Sequence, residues 1–275
     1  MMLLPVVGAG VDEQNQPLQG DDERPLTRYE KLSKYSNIWK TLLTIGFLVI
    51  VHTFTGIALV ITNAKRPAVE LLPDAIQSAI PYVKLEIYIN ILMVLMIVSE
   101  VIFIIFNKKR WYIIRRTVAV YAILSLIRVF TMTVTFLPDP SPKCPREHDP
   151  NYKITFKNII TQLFGGLTCG DMIFSGHTMG FIFPGLIHHH FIGKIIGWIY
   201  LFVGVIGAFG LIVSRFHYTV DVLLSLVLSP LLYFAYNLCC ENPTLANKLP
   251  CLLSKYFMFM EWSEMAKEED NREKL

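Results

Sequence analysis

The chain has 275 residues, 53% of them hydrophobic and only 17% charged, with a formal net charge of +3. A soluble domain carries about 25% charged residues, so this composition, with a mean hydropathy of +0.46, excludes an ordinary soluble enzyme and predicts a membrane protein. The net charge is too small to indicate a nucleic-acid partner.

Residues 1–40 begin with a short apolar stretch that has no basic n-region and then turn acidic and polar. They read as a largely disordered tail and not as a cleaved signal. A hydrocarbon core about 30 Å thick needs roughly 20 apolar helical residues. Spans are predicted at 41–62, 87–106, 117–137, 195–213 and 218–238, with a weaker one at 172–187 that carries Ser175, His177, Thr178 and Pro184. The expected fold is all-α, a bundle of six transmembrane helices over 41–238. Lys and Arg near span ends set orientation. Arg24, Arg28, Lys31, Lys34 and Lys40 precede the first span, and Lys108, Lys109, Arg110, Arg115 and Arg116 lie in the 107–116 connection. Both segments, and hence both termini, are expected in the cytosol. The loops 63–86, 138–171 and 214–217 are expected in the lumen or outside, and 239–275 reads as a cytosolic, solvated tail.

The weak span opens with CGDMIFSGHTMGF, where Asp171, Ser175 and His177 fall within seven residues. The next span returns to the same membrane face with SRFHYTVD, so His177, His217 and Asp221 converge there. On a helix, positions 217 and 221 would share one side. A carboxylate that accepts a proton from one nitrogen of His217 fixes the tautomer and makes the other nitrogen the nucleophile. His177, with Phe181 at i+4, suits the acid–base role. Ionisable groups in membrane spans are costly and are functional candidates by default. No metal-ligand spacing and no cofactor motif accompany them. His188, His189 and His190 are adjacent and so point in different directions; they read as a helix end that favours positive charge, not as a metal cluster.

Taken together these residues resemble a known family. SGH followed downstream by HxxxD resembles the lipid phosphate phosphatase superfamily. Cys169–Thr178 (CGDMIFSGHT) and His217–Val222 (HYTVDV) are more closely similar to two motifs of the sphingomyelin synthase family. Arg115 and Arg116, Arg128, and Thr131–Pro138 (TMTVTFLP) match another of its signatures, and Leu71–Asp74 (LLPD) a shorter one. The matches run in order from about residue 71 to 236. Ile127 stands where the family carries tyrosine, and Asn237 where it carries histidine.

The resemblance implies a phosphotransferase that moves a phosphocholine or phosphoethanolamine headgroup from a glycerophospholipid to ceramide and releases diacylglycerol. His177, His217 and Asp221 correspond to its catalytic triad, on the lumenal or exoplasmic side of a Golgi or plasma membrane. The partners are then the lipids phosphatidylcholine or phosphatidylethanolamine, ceramide and diacylglycerol, with a homo-oligomer compatible. A lipid phosphatase or phospholipase C-like hydrolase using the same triad, and a lipid transporter using the polar cluster as a headgroup site, remain alternatives. Ser175, with its helix N-terminus, Asp171, Arg128 and Glu86 are candidate substrate-binding residues. Ion pairing for Arg128 and helix capping for Asp171 are the competing structural roles. Cys144 and Cys169 share the expected oxidising side, where a disulfide can form. Cys239 and Cys240 lie at the cytosolic border, where palmitoylation is plausible.

Overall fold

The computed structural model describes residues 38–67, 69–144, 154–163 and 169–262, and among these it is helical without strands. In chain order the helices are α1 (Ile38–Lys65), α2 (Ala75–Ala79), α3 (Glu86–Phe106), α4 (Arg110–Val134), α5 (Phe156–Leu163), α6 (Gly176–Phe191), α7 (Lys194–Val213), α8 (Thr219–Glu241), α9 (Pro243–Asn247) and α10 (Cys251–Phe257). A π-helical turn, Met258–Trp262, follows α10. The N-terminal tail, as far as residue 37, and residues 263–275 lie outside the described residues.

Five helices (α1, α3, α4, α7 and α8) are long and apolar enough to cross a membrane. The predicted weak span is α6, which has 16 residues and starts at Gly176 rather than Met172. It differs from the others in its surroundings. It packs against α7, α8 and α3, and every residue from Thr178 to His188 is buried. A helix wrapped by other helices need not present an apolar surface to lipid, so it can carry His177, Thr178 and Pro184. Close approach of α7 depends on glycine. A Cβ at Gly204 would meet the Phe181 carbonyl oxygen at 2.5 Å, and one at Gly207 the Phe181 ring at 2.6 Å. Small residues that let backbones close up are the usual packing device between membrane helices.

The third predicted span was placed seven residues late. Helix α4 begins at Arg110, so the 107–116 connection is mostly helix. Arg115 and Arg116, expected in a connection, lie inside α4 and are 1% and 0% exposed. The cause lies at the far end of the chain. Arg115 Nε donates to Glu261 Oε1 at 3.0 Å and its Nη2 to Oε2 at 3.1 Å. Arg116 donates to Glu261, Glu241 and Asn237 and stacks over the Tyr112 ring at 4.2 Å. The expected solvated tail EWSEMAKEEDNREKL therefore starts with two enclosed residues, since Glu261 and Trp262 are 3% and 6% exposed. Helices α9 and α10 fold this segment back, and Phe259 packs edge-on against Trp39 at the start of α1.

The three consecutive histidines diverge, as their spacing demands. His188 pairs with Glu100 and stacks on Tyr200, His189 meets Trp198, and His190 reaches Glu241. Cys144 and Cys169 are joined in a disulfide. Cys240 is fully buried and Cys239 partly so, which leaves no accessible thiol at Cys240 for acylation.

Candidate active site

Two loops bring the histidines together. Helix α7 ends in a Schellman motif. Phe216 N donates to the Leu211 carbonyl at 2.9 Å and Arg215 N to Ile212 at 3.1 Å, with Arg215 at φ 55° in the left-handed position usually given to glycine. The reversal delivers Phe216 and His217 before α8 begins at Thr219. His217 thus precedes the helix instead of riding on it. Its closeness to Asp221 comes from a capping box, in which Asp221 Oδ2 accepts from Tyr218 N at 3.2 Å.

The second loop leads into α6. Ser175 is the N-cap, its Oγ accepting from Thr178 N at 3.2 Å. Before it, Ile173 and Phe174 stand at φ 61° and 84°. A β-branched residue in the left-handed region is a strained outlier, and such strain persists only where neighbours enforce it. Here the neighbours are Asp221, whose Oδ1 accepts from Ile173 N at 2.9 Å, and Thr131, whose hydroxyl donates to the Ile173 carbonyl at 3.3 Å. Ser175 N also donates to the Asp221 carbonyl at 3.3 Å, and Ser225 Oγ to both the Ser175 and Asp221 carbonyls. Asp221 therefore holds both loops.

The outcome is a compact pair of imidazoles. The ring centroids of His177 and His217 are 5.6 Å apart, and the Phe216 ring lies 4.7 Å from His177. His217 Nδ1 is 3.8 Å from Asp221 Oδ2, and neither nitrogen of the buried His217 has a hydrogen-bond partner among the described residues. That distance exceeds a hydrogen bond, but catalytic contacts of this kind commonly tighten only when substrate arrives.

Beside His177, Arg128 of α4 pairs with both oxygens of Asp171. A Cβ on Gly176 would meet the Arg128 guanidinium at 2.8 Å, so the cation lies directly on the N-terminus of α6. Burial alone would raise the Asp171 carboxyl, but the Arg128 and His217 charges outweigh it and hold that group below the ordinary carboxylate range. Helix N-terminus and guanidinium together favour an anion such as a phosphodiester.

These groups cap one end of a cavity of about 590 Å³ between α3, α4 and α6. His177, Arg128 and Asp171 line its head, and Met93, Ile97, Ile104, Val118 and Phe183 are among its apolar walls. Glu100 lines it further down. His217 and Asp221 are not among its lining residues and sit behind His177. Two of the sequence-stated binding candidates stand apart from it. Ser175 is fully buried as a cap. Glu86 is engaged by Lys143 Nζ at 2.8 Å and by the Tyr82 hydroxyl at 3.2 Å.

Sequence reasoning missed Asp139, which directly follows TMTVTFLP. It is buried, accepts from Ser141 N at 2.7 Å, and lies within electrostatic reach of His217, Asp171 and Arg66. Its carboxylate comes within 4.8 Å of the Cys144 and Cys169 sulfurs; the disulfide removes those thiolates as metal ligands. Burial pushes the Asp139 carboxyl from 3.8 up to about 6, against the Ser141 hydrogen bond and the His217 charge. The folded protein then holds this proton more tightly than the unfolded chain. That contribution to stability is complete below about pH 4, declines as pH rises to about 6, and is lost above it. Asp139→Asn should accordingly raise stability above pH 6 by an amount of order 1–3 kcal/mol and change little at pH 4. Thermal melts of both proteins at pH 4 and 7.5 measure it, and equal gaps at the two pH values contradict it.

Residues 168–238, which include both histidines and Asp221, match the family model described as PAP2 superfamily C-terminal. The chain is 29% identical to the Caenorhabditis elegans phosphatidylcholine:ceramide cholinephosphotransferase 1, over 90% of this chain and 56% of that protein. It is 33% identical to a Trypanosoma brucei brucei phosphatidylethanolamine:ceramide ethanolaminephosphotransferase, over 42% of this chain and 37% of that one. It is 24% identical to the mouse sphingomyelin synthase-related protein 1, over 76% of this chain and 46% of that protein. The chain thus spans about half the length, or less, of these curated relatives. The family resemblance carried by the sequence motifs is borne out by these matches.

Proposed function

The chain is a relative of the sphingomyelin synthases and ceramide phosphotransferases, and from that premise we propose that it transfers a phosphobase headgroup, phosphocholine or phosphoethanolamine, from a glycerophospholipid to ceramide. The observation that carries the reading is one of placement. A lipid-sized apolar cavity ends at His177 and the Arg128–Asp171 pair, with His217 directly behind. The two headgroups are those in the names of the nematode and trypanosome relatives.

Arg128 and the α6 N-terminus hold the phosphodiester. A His217 nitrogen attacks phosphorus, and the phosphorus–oxygen bond to diacylglycerol breaks as His177 protonates the departing oxygen. Ceramide then replaces diacylglycerol in the cavity. His177 takes the proton from its hydroxyl, that oxygen attacks phosphorus, and the phosphorus–nitrogen bond to His217 breaks. One chamber serves both lipids in turn, and two in-line displacements retain configuration at phosphorus.

The test uses purified protein in detergent with headgroup-labelled phosphatidylcholine or phosphatidylethanolamine, with and without ceramide. Labelled sphingolipid formed only with ceramide supports the proposal. Water-soluble phosphobase released regardless of ceramide points to hydrolysis. No turnover by a folded preparation points to lipid transport.

The same reading makes α6 a sixth crossing, leaves the basic turn at 107–110 in the cytosol, and sets the histidines at the lumenal or exoplasmic face. A glycosylation acceptor engineered within 145–153 should be glycosylated in cells, and one at 107–109 should not. The reverse pattern inverts the topology.

A further inference from the structure

His217 stands on a five-residue connection between α7 and α8, and its own ring forms no hydrogen bond among the described residues. Its main chain, by contrast, is held by a segment 140 residues earlier in the sequence. Asp74, the last residue of the LLPD element, accepts from Ile76 N and Gln77 N at 3.1 Å and so caps α2. The same carboxylate accepts from Thr219 N at 2.7 Å and from the Thr219 hydroxyl at 2.8 Å. Gln77, oriented by that cap and itself buried, donates from Nε2 to the His217 carbonyl at 2.8 Å. Outside these, Leu72 N donates to the Tyr218 hydroxyl at 3.2 Å, Arg215 Nη2 to the Ile80 carbonyl at 2.8 Å, and Val83 N to the Val213 carbonyl at 3.3 Å.

The backbone is thus pinned at His217 and just after it. Gln77 holds its carbonyl, and Asp74 holds the peptide nitrogen two residues on. We infer that Asp74 is a positioning residue for His217, acting through Gln77 and Thr219 to fix where the imidazole stands relative to Asp221 and His177. This rests on the reading of His217 as nucleophile. The chemistry explains why a carboxylate is used. Four donors converge on two oxygens, which only an ionised Asp accepts without presenting a donor of its own. Burial would raise the Asp74 carboxyl, but the hydrogen bonds from Thr219, Gln77 and Ile76 together hold it below the ordinary value. Asparagine would turn an NH₂ group toward one set of these N–H donors.

Misplacement of a reacting group by about 1 Å can cost 10²-fold in rate. Asp74→Ala should therefore lower kcat by about 10²-fold, with KM for the donor lipid unchanged within about threefold, because the cavity is untouched. Asp74→Asn and Gln77→Ala should each lower kcat per folded molecule by about 10-fold, with only a modest loss of thermal stability. The second readout needs no activity. Histidine modification by diethyl pyrocarbonate, mapped by mass spectrometry, should rise several-fold at His217 in Asp74→Ala. At His189, about 18 Å along α6 from His177, it should not change. Equal increases at both histidines, or a fall in kcat that only tracks the folded fraction in all three variants, would show a merely structural role and overturn the inference. So would unchanged kcat together with unchanged His217 reactivity. If the wild-type protein itself shows no transfer, the functional reading fails, while the modification pattern still decides whether Asp74 holds His217.

Discussion

His217→Ala is expected to abolish both headgroup transfer to ceramide and headgroup release to water, to below detection, while the protein remains folded. The argument is geometric. His217 lies behind His177 at the head of the cavity, and its Nδ1 faces Asp221 at 3.8 Å. Without its ring the nitrogen proposed to carry the phosphobase between two lipids is gone. The ring has no hydrogen-bond partner to orphan among the described residues, and its backbone contact to Gln77 survives the substitution, so the melting temperature should barely move. Retained headgroup release with lost transfer would sink the covalent route. His177→Ala should be slowed less severely on a donor with a good leaving group, such as a p-nitrophenyl phosphocholine ester, because such a group departs without a proton. The adduct itself should be sought by alkaline quench and mass spectrometry, since phosphohistidine is acid-labile. Finding it on His177 would reverse the assignment. Asp221→Asn is a harsher change than the sequence suggests. Loss of a carboxylate partner of a catalytic histidine can cost about 10⁴-fold, and here both oxygens also accept backbone N–H groups. An amide would face one of those donors with another, so some loss of stability should accompany the loss of rate.

Glu261→Ala should destabilise the protein by about 3–5 kcal/mol, the usual cost of removing one partner from a buried ion pair. Glu261 bridges Arg115 and Arg116 where all three side chains are at most 1% exposed. Glu241 still reaches Arg116, but its side chain is 38% exposed. Glu261→Gln keeps the shape and loses the charge, so its loss should be smaller. Thermal denaturation in detergent reads both, and a change below about 1 kcal/mol for Glu261→Ala would show that this network contributes only a surface-type pair. Activity per folded molecule should be preserved, because the network sits at the opposite end of α4 from Arg128.

Hydropathy made five of the spans legible, because a lipid-facing helix must be apolar over its length. It nearly hid α6, whose burial among α3, α7 and α8 frees it from that demand. The two histidine loops were legible as motifs, yet the spacing argument for His217 and Asp221 assumed one helix where the structure has a reversal and a capping box. What local pattern could not convey were contacts set by distant sequence. Asp74 is only the end of a short motif until Thr219 is placed on it. Arg115 and Arg116 read as orienting charges of a connection until Glu261 is placed between them. Asp139 carried no signal beyond its place after TMTVTFLP.

That last pairing has a consequence for biosynthesis. Glu261 follows Arg116 by 145 residues, so at roughly 5–20 residues per second the ribosome needs about 7–30 s to supply it. Throughout that interval α6, α7 and α8 are synthesised while Arg115 and Arg116 lack the Glu261 carboxylate; Glu241, the other carboxylate partner of Arg116, precedes Glu261 by 20 residues. Closure of this end of the bundle is therefore a late event of assembly. A nascent chain arrested before residue 261 lacks the carboxylate that bridges Arg115 and Arg116 in the finished protein.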